Sequence, residues 1–199
     1  MKRTTENIRR RNLPHLYFND GIYFITARLA NTIPLEKLKQ LHIQSSNINS
    51  LNFAKFKNHF LQYDAFLDKS LEGRSILKKT DCSAVIKQCL HYPDGKEYKL
   101  ICFTIMPNHF HFVIELLKNN KGISKIMQSI KGISALRINK LLNKTGKFWQ
   151  DESYDRLIRD DIEFYFVVRY ILLNPVKAGL IDDWRKWEHT YCHPQHILI

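Results

Sequence analysis

The sequence predicts an α+β domain. Residues 21–29 and 98–115 are rich in aromatic and β-branched side chains, as strands are, whereas longer stretches elsewhere carry apolar residues at helical spacing. A chain of 199 residues suits one domain with a sizeable core, and 44% hydrophobic and 12% aromatic residues exclude a disordered polypeptide.

Residues 1–20 read as a basic arm, with Lys2, Arg3, Arg9, Arg10 and Arg11 against a single Glu6 in the first eleven positions. Arms of this kind either stay solvated or lie along phosphates. Asn19-Asp20-Gly21 is turn chemistry before the first strand. Pro34 then opens a helical segment with Leu35, Leu38 and Leu41 on one stripe, and residues 44–52 are polar enough to be a loop. From 53 to about 71, Phe56, Phe60, Tyr63 and Leu67 form a second helical stripe, read as core rather than as a base-stacking platform. A third helix runs from about Asp81, a candidate cap, through Val85, Ile86 and Leu90 until Pro93-Asp94-Gly95 turns the chain.

The next two strands carry the chemistry. Residues 98–106 end at Pro107-Asn108, which bends the chain into a second strand beginning His109-Phe110-His111-Phe112. Proline cannot take the positive φ of a tight primed turn, so a type I or slightly longer connection is expected. Alternation along a strand projects His109 and His111 from one face and Phe110 and Phe112 from the other, with the two imidazoles about 7 Å apart at the backbone. Two such histidines can be satisfied strand residues, or they can converge on a metal.

Residues 116–150 hold eight cations, including Lys121, Lys125, Lys131, Arg137 and Lys140, and no acidic residue. Apolar residues from Ile123 to Leu142 recur at helical spacing, giving a long amphipathic helix with a basic outer side. Solvated faces mix charge signs, so this one reads as a nucleic-acid contact. The whole chain, with 31 Lys+Arg against 19 Asp+Glu, is +12, and a polyanion is the default partner for such an excess. There is no signal-peptide pattern and no apolar run of membrane-spanning length, so a cytoplasmic, nucleoid-associated protein without a membrane partner is expected. Cys82, Cys89, Cys102 and Cys192 include no C-x-x-C pair and read as reduced structural thiols. Zinc ligation by Cys89 with His91, or by Cys192 with His193 and His196, fits no common finger spacing.

A last helix is capped by Asp160 or Asp161 and ends near Asn174, because Pro175 disfavours helix at the residue before it. Tyr170 and Asn174, four residues apart, share a face of this largely apolar helix. They are either a buried tyrosine and a C-terminal cap, or a nucleophile and a ligand. Tyr165, five residues from Tyr170, points about 140° away, so a two-tyrosine arrangement is disfavoured.

Met106-Pro107-Asn108-His109-Phe110-His111 resembles the His-hydrophobe-His signature of single-tyrosine HUH transposases, in particular the REP-associated tyrosine transposase branch. A second matching block runs from Tyr170 through Asn174-Pro175-Val176-Lys177 to Leu180, and Phe148-Trp149-Gln150 and Arg156–Asp160 add to it. The resemblance covers roughly residues 10–185, less well over a helical insertion at about 35–92. It implies a ferredoxin-like, mainly antiparallel sheet with helices on one side, a single catalytic domain at 21–185 and a tail at 186–199. It also implies that His109 and His111 bind Mg2+ or Mn2+, that Asn174 is a third ligand, and that Tyr170 is the nucleophile. The activity so implied is cleavage and rejoining of single-stranded or hairpin DNA through a 5′-phosphotyrosine, by a monomer or homodimer, with phosphate contacts from Arg9, Arg10, Arg11 and the cations of residues 121–140. The competing reading is a non-catalytic DNA- or RNA-binding protein derived from such an enzyme.

Overall fold

A computed structural model describes residues 8–10, 14–16, 20–33, 53–69 and 75–197. Its centre is a five-stranded antiparallel sheet. The strands are β3 (Ile22–Arg28), β4 (Tyr98–Ile105), β5 (His109–Leu116), β6 (Tyr154–Ile158) and β7 (Thr190–Cys192), in the order β6-β3-β5-β4-β7. A separate two-stranded ribbon, β1 (Ile8–Arg10) with β2 (Pro14–Leu16), lies within the basic arm. The helix expected at Pro34 and the loop after it fall outside the described residues.

Among the described residues, four helices pack on this sheet: α1 (Phe53–Lys69), α2 (Thr80–His91), α3 (Ile123–Leu141) and α4 (Asp161–Lys177). Taken alone, β3-α2-β4-β5-α3-β6 has the connectivity and strand order of a ferredoxin-like unit. Its two helices cover one face, where Tyr23, Ile25, Phe103, Phe110 and Phe112 meet Val85, Ile86, Leu90, Ile126 and Ile130. The expectation that helices lie on one side holds for this unit and fails for the whole chain. The other face is covered by α1 and α4, whose Phe56, Phe60, Val167, Val168 and Ile171 pack on Phe24, Cys102 and Val113. Both faces of β5 are therefore buried, and its histidines sit inside a protein layer rather than at a wet surface.

Local contacts account for several sequence blocks. Trp149 Nε1 donates to Ser134 Oγ at 2.9 Å, tying the chain after α3 back to that helix. Asp160 caps α4 by accepting from the Glu163 backbone N–H at 2.8 Å. Arg156 pairs with buried Glu163 and lies 3.9 Å over the Phe56 ring, so it clamps β6, α4 and α1 together. The stretch after 186, which had no legible role, supplies the edge strand β7. Among the described residues no helix is long and apolar enough to cross a membrane.

The end of α4 departs from expectation. The helix does not stop at Asn174 but passes through Pro175 to Lys177. A Schellman closure ends it: Gly179, at φ 68°, donates its N–H to Val176 O and Leu180 donates to Pro175 O, both at 2.9 Å. The stop signal is the left-handed glycine rather than the proline, and the extra turn carries Lys177 round to the face that bears Tyr170.

Candidate metal and tyrosine site

The β4–β5 hairpin places His109 and His111 on the α1/α4 face as the alternation required, and neither Pro107 nor Asn108 takes a positive φ. Each imidazole has its Nδ1 engaged, His111 with Thr26 Oγ1 at 2.7 Å and His109 with Asn108 Oδ1 at 2.6 Å. Asn108 Nδ2 donates to Leu67 O at 2.9 Å, which fixes the amide so that its oxygen faces His109. A carbonyl oxygen only accepts, so His109 carries its proton on Nδ1 and offers the Nε2 lone pair to the site. The turn residue Asn108 thus sets a tautomer and anchors α1 to the histidine strand. Asn108→Ala is expected to weaken Mn2+ binding by about 10- to 100-fold, the usual cost of losing such an orienting partner; calorimetric titration measures it.

Helix α1 brings a residue that sequence reasoning missed. Asp64, fully buried, presents Oδ1 3.0 Å from His111 Nε2 and 3.5 Å from His109 Nε2, and the two Nε2 atoms are 3.0 Å apart. Among the described residues, Asp64, His109 and His111 are the group of metal-ligating side chains that converge, with ligand atoms within 4.8 Å of one another. Asp64 Oδ1 and Asn174 Oδ1 are both buried without a hydrogen-bond partner. Two imidazole nitrogens and uncommitted carboxylate and amide oxygens form a mixed donor set suited to a hard or borderline divalent cation.

Burial and the neighbouring His111 push the His109 imidazole down to about 3, against the pull of Asp64. Burial alone would raise the Asp64 carboxyl, but His111, His109 and the Tyr170 hydroxyl outweigh it and hold Asp64 below its ordinary value. His109 therefore stays neutral at working pH, as a ligand must. Between its ordinary 6.5 and about 3, the unfolded chain binds a proton there that the folded chain refuses, so this contribution to stability is present above 6.5 and lost as pH falls. The metal-free protein should lose thermal stability on acidification through that window, and His109→Gln should show a shallower slope.

Tyr170 Oη donates to Asp64 Oδ2, and Asn174 Nδ2 donates to the same oxygen at 3.0 Å. Burial and the adjacent Asp64 push the phenol well above its ordinary value. The other C-terminal tyrosines lie elsewhere. Tyr154, which the sequence places on a connecting loop, begins β6 and stacks with Phe56 and Tyr63, Tyr165 is exposed, and Tyr191 stacks on Phe103 on the far face. Asp68, one turn beyond Asp64, is pushed up to about 6 by burial and by the Asp64 charge.

The cations of α3 do not share one surface. Arg137 turns towards α2 and donates to Gln88 Oε1 at 2.6 Å, whereas Lys131 reaches Asp151 O at 2.7 Å on the other side. Their six-residue separation is roughly 120° around a helix. Lys121 pairs with Glu97 at 3.0 Å, and Lys125 and Lys140 are exposed. Arg9 and Arg10 lie in β1, and Arg11 falls outside the described residues.

Residues 72–172, half of the chain, match the family described as "Transposase IS200 like". A Haemophilus influenzae protein named "Putative REP-associated tyrosine transposase" is 26% identical over 120 residues, which are 56% of this chain and 66%, just under two thirds, of that protein. An "Uncharacterized protein" of the same organism is 23% identical over 163 residues, covering 68% of this chain and 89% of its own length. A REP-associated tyrosine transposase solved bound to a REP hairpin superposes with a TM-score of 0.58 at 16% identity, over 93% of this chain and 81% of that one, a likeness of fold. His109, His111 and Tyr170 fall inside the matched segment, whereas Asp64 and Asn174 lie just outside it. Strands β4, β5 and β6, the paired histidines and the tyrosine turned towards them thus lie in the part of the molecule that the match covers, and the chain belongs to the IS200-like transposase family.

Proposed function

We propose that this protein is a REP-associated tyrosine transposase that cuts and rejoins single-stranded DNA at hairpin sites through a 5′-phosphotyrosine on Tyr170. The observation that carries the reading is the convergence of Tyr170 Oη, Asp64, His109 and His111 in one buried cluster. His109 Nε2, His111 Nε2 and Asp64 Oδ1 would hold the cation, and Asn174 orients Asp64 through Nδ2 and has an Oδ1 that could serve as a further ligand. Mg2+ or Mn2+ bound there supplies Lewis-acid polarisation of the scissile phosphate.

The two oxygens of Asp64 divide the work. Oδ1 faces the imidazoles, while Oδ2 accepts the Tyr170 proton as Oη attacks phosphorus and the bond to the 3′ oxygen breaks. Energy retained in the phosphotyrosine bond lets a 3′ hydroxyl reverse the step and rejoin strands. Exposed Lys125 and Lys140 engage phosphates, as does the basic arm with Arg9, Arg10 and Arg11. Replacing one of these cations with Gln should flatten the slope of log affinity for single-stranded DNA against log salt by about 0.7.

The test is incubation with Mn2+ and a pool of single-stranded hairpins, followed by denaturing electrophoresis. A denaturation-resistant adduct that digestion and mass spectrometry place on Tyr170 supports the proposal. DNA binding without any adduct would favour the non-catalytic reading instead.

A further inference from the structure

We propose that Lys177 is a further catalytic residue, beside Tyr170 and Asp64, which holds the nucleophilic oxygen of Tyr170 and meets the incoming scissile phosphate; this rests on the tyrosine-nuclease reading above. Lys177 Nζ donates to Tyr170 Oη at 2.9 Å and lies 4.8 Å from the centre of the same ring. A lysine in the last turn of a helix commonly leans on the free carbonyls or the helix dipole. This one turns back seven residues to a tyrosine hydroxyl, which it can do because α4 runs through Pro175 and because seven residues bring a helix almost to the same face.

The positions of the two partners of Oη give the direction of attack. Asp64 is fully buried, whereas Lys177 is exposed, so Oη stands between an inner carboxylate and an outer ammonium. Among the described residues, the side of the oxygen away from Asp64 is the one on which exposed Lys177 stands, and this is the side from which we infer that DNA approaches. A phosphate coming within bonding distance of Oη from there comes within reach of Nζ as well. Asp68, on the same face of α1 as Asp64, lies close enough for its carboxyl to feel the Lys177 charge.

In the step so assigned, the Oη–P bond forms and the P–O3′ bond breaks. The phenol proton passes to Asp64 Oδ2, and the departing 3′ oxygen takes one from solvent, so protons balance. Lys177 keeps its proton throughout. Its ammonium faces the charge that builds on the phosphate oxygens during attack, and the charge on Oη when the tyrosine leaves in the rejoining step.

The full-length protein tests this with the cleaved hairpin recovered from the pool, labelled at its 3′ end, which the adduct retains. Single-turnover adduct formation is measured in Mn2+ for wild type, Lys177→Met and Lys177→Arg, alongside Mn2+ titration and thermal unfolding. The expected result is a rate lower by about 10- to 100-fold in K177M, the scale of one charge-assisted hydrogen bond made in the transition state, with partial recovery in K177R. Metal affinity and thermal midpoint should stay at the wild-type value. A loss of less than tenfold in K177M overturns the proposal. So does a loss that tracks weaker Mn2+ binding or a lower midpoint, since Lys177 would then only support the fold. If wild type forms no adduct, the nuclease reading itself fails and this proposal falls with it, an outcome distinct from an active wild type that tolerates K177M.

Discussion

Replacing Tyr170 with Phe is expected to abolish the covalent protein–DNA adduct while leaving Mn2+ and DNA binding in place. The substitution removes one oxygen and keeps the ring, which packs edge-on against Phe60 at 4.8 Å between centroids. The hydroxyl donates to the buried Asp64 carboxylate, so its loss should cost about 1 to 3 kcal/mol of stability, the range for hydrogen bonds to charged groups, and the bond from exposed Lys177 adds little to that. That leaves a folded protein in which the experiment reads chemistry alone. An adduct that persists in Y170F, or a nucleotide mapped to Tyr154, Tyr165 or Tyr191, would mean that a different tyrosine attacks. Geometry speaks against each of them. Tyr154 is stacked among aromatic rings, Tyr165 points outward, and Tyr191 lies across the sheet from the histidines.

The histidine strand was legible because its information is local. A period of two fixes which side chains share a face, and Pro107-Asn108 places the bend, so the shared face of His109 and His111 follows from spacing, whereas their reading as a metal pair rests on the resemblance. Tyr170 with Asn174 was legible for the same reason at helical period. Asp64 was not, because it comes from α1, forty-five positions before His109, and only tertiary packing brings the two together. One signal was available. Asp64 falls four residues after Phe60, and Asp68 one position after Leu67, so two carboxylates at helical spacing flank a stripe read as pure apolar core. An unexplained acid on a buried stripe asks for a cation. The placement of α1 against the sheet face opposite α2 and α3 was hidden for a related reason, since an apolar stripe says that a helix packs but not on which face. Lys177 was masked by reading Pro175 as a helix end, when the α4 backbone accommodates the missing N–H and closes at Gly179.

Asp64→Asn is expected to weaken Mn2+ binding by at least about 100-fold, more than loss of an orienting partner such as Asn108. The change is nearly isosteric. An amide at this position can still accept from Tyr170 through its oxygen and donate to an imidazole lone pair through its nitrogen, so the buried polar cluster remains satisfied without the charge. The metal-free fold should therefore survive, whereas the cation loses its anionic donor. Asn174→Ala is the informative comparison, because Asn174 touches Asp64 through Nδ2 and has a free Oδ1. If Asp64 is the third ligand and Asn174 its support, N174A should cost less in Mn2+ affinity than D64N, by about tenfold or more. The reverse order, with D64N binding metal nearly as wild type and N174A failing to, would return the third-ligand role to Asn174 and reduce Asp64 to the residue that positions Tyr170. Adduct formation separates the two roles further. Excess Mn2+ should rescue a variant that has lost only affinity, but should not rescue D64N, which has also lost the oxygen that takes the proton from Tyr170.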